Sequence, residues 1–179
     1  AYCVPDFHPM CDGIALEALT LIGRSLPAVV EEPDNIAARG GMQVGACLAG
    51  IAFLKGLGLV HAISHMVGAE YDTHHGLTNA VVLPAVLRFN EPAIAGKVPA
   101  MMRALGQPGT DFDEFYRYVC GLLDQFQIPR TLSELGVPES AAETLTIKAL
   151  KDAAAGTNPR VSDADSLMSV ITEAITVGR

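Results

Sequence analysis

GLVHAISHMVGAEYDTHHGLTNAVVLPAVLRF, residues 58–89, holds four of the five histidines in the chain: His61, His65, His74 and His75. Val60, Ile63, Ser64, Val67 and Gly68 surround the first pair with apolar and small residues, which predicts a helix. His61 and His65 are four apart, so both imidazoles leave one face about a turn from each other. A helix presents two nitrogens to one metal ion in that way. Gly68, Glu70, Asp72 and Thr73 then predict a helix end and a turn. His75 arrives just before Gly76, where a second apolar helical pattern begins (Leu77, Ala80, Val81, Pro84, Val86, Leu87). A chain folded back at this turn brings His75 towards the His61 face. Spacing alone leaves other readings open: a buried hydrogen-bonded pair, or a helix N-terminus at His74–His75. No glutamate lies between His61 and His65, so this is not the HExxH signature of zinc proteases.

The same run resembles the signature segment of the iron-containing (group III) alcohol dehydrogenases. There a helix reading G-hydrophobic-x-H-x-x-x-H leads to a turn ending in His-Gly, then to a helix reading N-A-hydrophobic-hydrophobic-L-P. The resemblance implies that His61 and His75 are metal ligands. It places His65 near the metal and the nicotinamide as a catalytic or pocket-shaping residue; the alternative is a histidine that only orients His61. His74 stands where the family commonly has proline, which adds a stray imidazole and a less rigid turn. Ile128, Pro129, Leu132, Gly136 and Val137 also match a family segment, and Asn158-Pro159-Arg160 resembles its late turn, read here as structural. In the family an Asp and a His four residues on complete the ligand set and precede the region matched by His8–Leu19. The expectation is therefore that residues 1–179 are a single helical metal-binding domain, the carboxy-terminal half of a larger enzyme.

Bulk properties agree with a packed domain. Hydrophobic residues make up 50% of the 179 and charged residues 18%, which argues against disorder. The net charge of −8 and the lack of a Lys/Arg cluster exclude a nucleic-acid backbone as partner. No G-x-G-x-x-G phosphate loop occurs, so no nucleotide site is expected within these residues. Four scattered cysteines without a CxxC pair fit a reducing cytoplasm, with Cys47 and Cys120 expected to be buried thiols. The longest apolar run, Met42–Leu54, falls short of the ~20 residues a membrane-crossing helix needs, so no membrane is expected.

Helical periodicity recurs along the chain and strand alternation does not, which predicts an all-α, multi-helix bundle. Helices are expected over Asp12–Leu26, with Pro27 disturbing the far end, and from Asp34 through Ile36–Leu57. That second helix carries Gly40, Gly41, Gly45 and Gly50 and reads as a thin central helix pressed by others. Further helices are expected over Pro92–Leu105, Asp111–Phe126 and Glu139–Ala154, and over Asp163–Ile175 with Ser162 as N-cap.

What the resemblance implies in function is an NAD(P)-linked oxidoreductase interconverting a small alcohol and its aldehyde or ketone. Fe²⁺, or Zn²⁺ in its place, would polarise the substrate oxygen. The chain alone is expected to be inactive and to bind metal weakly. Apolar area left uncovered predicts self-association as a homo-oligomer. Two other readings are a non-catalytic helical interaction module and a relative of glycerol dehydrogenase or dehydroquinate synthase.

Overall fold

The computed structural model describes residues 1–179. The chain is all-α, as expected, with no strand. Its helices are α1 (Pro9–Glu31), α2 (Ile36–Ala52), α3 (Leu59–Tyr71), α4 (His75–Ile94), α5 (Val98–Ala104), α6 (Phe112–Gln125), α7 (Ala142–Ala149) and α8 (Ala164–Thr176). It divides into two compact units, residues 1–56 with 94–115 and residues 57–93 with 116–179.

In the first unit α1 and α2 form an antiparallel pair, since Ser25 faces Gly41, Ile22 faces Gly45, and Asp12 meets Lys55. His8 caps α1, its Nδ1 accepting from the Cys11 N–H at 3.2 Å. Pro27 does not end this helix, which continues to Glu31. A proline forfeits one backbone hydrogen bond but has a helical φ, and the packing of this stretch on α2 offsets the loss. Asn35, rather than Asp34, caps α2, accepting from the Ala38 N–H at 3.0 Å. The helix tightens into a 3-10 turn at Phe53–Lys55 and stops at Gly56, whose φ of +127° ends it before Leu57.

Close backbone approach accounts for two of the four glycines in α2. A Cβ on Gly45 would lie 2.7 Å from Ile22 Cγ1, and one on Gly41 would strike Ser25, whereas Gly40 and Gly50 face open space. The helix is not central. Only Ala38, Gly45 and Ala52 are buried, while Ile36, Val44 and Ile51 are exposed. Cys47 is exposed too, against expectation, because α2 is covered on one side alone. The Lys55 side chain is 1% exposed and its Nζ donates to Asp12 Oδ1 at 2.5 Å.

Pro9–Glu31 (23 residues) and Ile36–Lys55 (20 residues) are long and apolar enough to cross a bilayer by length and composition alone. Contrary to the expectation from Met42–Leu54, interspersed small and polar residues extend both helices beyond any uninterrupted apolar run. The helix expected over Pro92–Leu105 is also divided. α4 runs through Pro84 and Pro92 to Ile94, a 3-10 turn follows, and α5 starts at Val98 with Pro99 in its first turn, where proline is tolerated.

The second unit has the larger core. Leu59, Ile63 and Val67 of α3 bury one face at four-residue spacing against Val81, Val82 and Val86 of α4, Leu145 of α7, and Leu167, Ile171 and Ile175 of α8. Asp163, rather than Ser162, caps α8 in a reciprocal box with Ser166. Between Gly136, at φ +88°, and the late turn, the expected Glu139–Ala154 helix is shorter: a 3-10 turn, then α7, ending at Ala149. Beyond it, Asp152 Oδ1 accepts from the Ala154 N–H at 2.8 Å, the local bond by which aspartate competes with helix.

Candidate functional site

Helix α3 begins at Gly58, whose φ of +77° suits glycine, and it has no side-chain cap of its own. Its first amides are satisfied from the late turn. Thr157 Oγ1 accepts from the Leu57 and Gly58 N–H groups at 3.1 and 3.2 Å, and Asn158 Oδ1 accepts from Leu59 at 3.1 Å. Asn158 also exchanges hydrogen bonds with the buried Asn90 (3.0 and 2.7 Å) and donates to the Arg160 carbonyl at 2.7 Å. The Arg160 guanidinium lies 4.2 Å over the Phe89 ring. The Asn158-Pro159-Arg160 turn thus has the structural role read from the sequence: it fixes the start of the histidine helix.

At its other end α3 closes on Asp72, a left-handed residue at φ +52° whose N–H bonds to the Gly68 carbonyl. Two residues later His74 Nδ1 accepts from the Leu77 N–H at 3.3 Å. That makes His74 a cap for α4.

This hairpin brings His61, His65 and His75 together. Their ring centroids lie 5.7 Å (61 to 65), 5.2 Å (61 to 75) and 5.6 Å (65 to 75) apart. Asn79, one turn beyond His75 on α4, sits between two of the rings. Its Nδ2 lies 3.1 Å from His75 Nε2 and 3.4 Å from His61 Nε2. With the amide donating to both, each Nε2 turns its lone pair to the Asn79 amide nitrogen. Asn79 Oδ1 is buried without a hydrogen-bond partner. His65 Nδ1 meets Asp152 Oδ2 at 3.0 Å. The sequence assigns no role to Asn79, which enters only as the first residue of the N-A-hydrophobic-hydrophobic-L-P pattern, and none to Asp152. Asn79 carried a signal in its four-residue spacing from His75; Asp152, 87 positions from His65, carried none.

Electrostatics keep the cluster neutral at its centre. Burial pushes the His61 pKa down to about 4, and the neighbouring His75 and His65 add to the shift. A neutral imidazole is the form that binds metal. The donor set fits a divalent ion in part: two convergent imidazoles suit Fe²⁺ or Zn²⁺, and an orphaned amide oxygen lies beside them. No group of three or more His, Cys, Asp or Glu side chains is gathered to hold an ion unaided.

The chain resembles known proteins along most of its length. The C-terminal region of the Fe-containing alcohol dehydrogenase family matches residues 1–175. The 1,3-propanediol dehydrogenase of Klebsiella pneumoniae is 34% identical over 181 residues, 97% of this chain and 47% of that protein. The NAD-dependent methanol dehydrogenase of Bacillus methanolicus is 34% identical over 182 residues, 98% of this chain and 48% of that one. The crystal structure of a 1,3-propanediol oxidoreductase superposes with a TM-score of 0.92 at 33% identity, covering 97% of this chain and 47% of its own. The chain spans about half the length of the curated relatives it matches. By sequence along nearly its whole length and by fold, it belongs to the Fe-containing alcohol dehydrogenase family, in that family's C-terminal region.

Proposed function

We propose that residues 1–179 are the helical, metal-binding domain of an NAD(P)-linked dehydrogenase that interconverts a short alcohol and its aldehyde or ketone. The observation that carries this reading is the convergence of His61 Nε2 and His75 Nε2 on one point at the α3–α4 hairpin. Family membership and the names of the relatives, a propanediol and a methanol dehydrogenase, support the substrate class.

His61 and His75 hold the ion, as Fe²⁺ or Zn²⁺, with the remaining ligands supplied from outside these residues. The bound ion supplies Lewis-acid chemistry at the substrate oxygen, and the nicotinamide supplies the hydride acceptor. His65 stands beside both ligands and takes the hydroxyl proton, so the alcohol yields a carbonyl compound, one hydride and one proton. Apolar side chains exposed on α1, α2 and the turn after it, among them Met10, Ile36, Val44 and Leu54, support covering by other protein and a homo-oligomer. Four free cysteines support a reducing, cytoplasmic setting.

The test is metal content and alcohol-dependent NAD(P)H formation by the full-length protein, with His61→Ala and His75→Ala beside wild type. Each variant should lose bound metal and activity together, by well over the ~10–100-fold typical of residues that only support a ligand. Full metal loading and turnover in both variants would overturn the assignment.

A further inference from the structure

Asp152 divides its carboxylate between two tasks. Oδ1 accepts from the Ala154 N–H at 2.8 Å, which fixes the side chain to its own turn. Oδ2 is thereby aimed at His65 Nδ1, 3.0 Å away. The side chain of Asp152 is 16% exposed and that of His65 37%, so the bond forms at the edge of the core. The turn that carries Asp152 leads directly into Thr157 and Asn158, which hold the first amides of α3. One segment therefore grips the histidine helix at its start and again a turn and a half along it.

A carboxylate only accepts, so in the neutral ring the contact places the proton on His65 Nδ1 and leaves a lone pair on Nε2. Nε2 lies on the side of the ring away from Asp152. A neutral imidazole without such a partner exchanges between both tautomers, and one of them presents an N–H where a proton acceptor is needed. A loop anchor alone requires only Oδ1 and the backbone. The second oxygen contributes nothing to the turn.

We propose that Asp152 is the positioning residue for His65, holding its ring in one tautomer and one orientation so that Nε2 faces the reacting hydroxyl. The assignment rests on the proposed dehydrogenase reading of the cluster. Its effect resembles that of a carboxylate that orients a histidine in a hydrolytic triad, where loss of the correct tautomer leaves geometry intact and rate diminished.

The experiment uses the full-length, metal-loaded protein and a short alcohol. Asp152→Asn should lower kcat about 10–100-fold while KM and metal content stay within about twofold, as for loss of a group that orients a functional histidine. Asp152→Glu, which restores a carboxylate, should recover most of that loss. In a His65→Gln background, Asp152→Asn should cause no further decrease, because both act through one group. On the metal-free full-length chain, ring ¹⁵N resonances of His65 should report the Nδ1–H tautomer in wild type and a mixture in Asp152→Asn. Wild-type kcat in Asp152→Asn, additive losses in the double variant, or an unchanged tautomer would each overturn the proposal while leaving the dehydrogenase reading intact. Wild-type kcat in His65→Gln would instead remove His65 from that reading, and the role of Asp152 with it.

Discussion

Replacing Asn158 by alanine should destabilise the second unit more than any single hydrogen bond could. The Asn158 side chain makes four: from Leu59 N–H and Asn90 Nδ2 to its Oδ1, and from its Nδ2 to Asn90 Oδ1 and the Arg160 carbonyl. Alanine leaves the Leu59 N–H and the Asn90 amide unpaired, at residues 0% and 6% exposed where water does not replace the lost partner. At about 1–2 kcal/mol for each of these two groups, the cost is roughly 3 kcal/mol. The chain has no tryptophan, so urea unfolding is best followed by far-UV circular dichroism. With an m-value of about 1–3 kcal/mol/M, the midpoint of the affected transition should fall by roughly 1–3 M. Asn90→Ala should be costly by itself, yet the double variant should cost clearly less than the sum, because the two amides satisfy one another. A loss below about 1 kcal/mol in Asn158→Ala would refute the idea that the late turn caps α3, and additive losses in the pair would refute the mutual pairing of the two amides.

Two further outcomes follow from the geometry. Gly50→Ala should raise stability by about 0.5–1 kcal/mol, since a Cβ there meets nothing and alanine is the better helix former. Gly45→Ala should instead cost about 1–3 kcal/mol by forcing α1 and α2 apart at Ile22, and equal effects in urea melts would contradict that packing. The metal-free protein should lose stability as pH falls from about 6.5 towards 4. In that window the unfolded chain binds a proton that folded His61, with its pKa near 4, refuses. Because His61 is only half-buried, screening limits the effect to about 1–2 kcal/mol; a His61→Gln variant with the same pH dependence would refute it.

How much of this was legible in the sequence follows from how local each signal is. The α3–α4 hairpin was readable because glycine at 58, a polar turn at 70–74 and the four-residue histidine spacing all act within a few residues of one another. The convergence of His61, His65 and His75 followed from that pattern and from the family resemblance. Proline is a weak stop signal here: Pro27 and Pro92 lie inside helices, where each removes one backbone hydrogen bond. Apolar composition does not report burial in α2, where only one face is covered. Asp152 was invisible for a different reason. A helical pattern through Ala154 disguised the turn that aims its carboxylate, and nothing nearby in sequence announces a partner on α3.

The distant caps of α3 also constrain the order in which the molecule can be made. As the polypeptide leaves the ribosome, all three clustered histidines emerge long before Thr157 and Asn158, the residues that hold the leading amides of their helix. Until then those amides have only water to bond. A polypeptide cut short of position 157 would contain His61, His65 and His75 and lack the residues that hold the start of their helix, so completion of the candidate site should be among the last events of biogenesis.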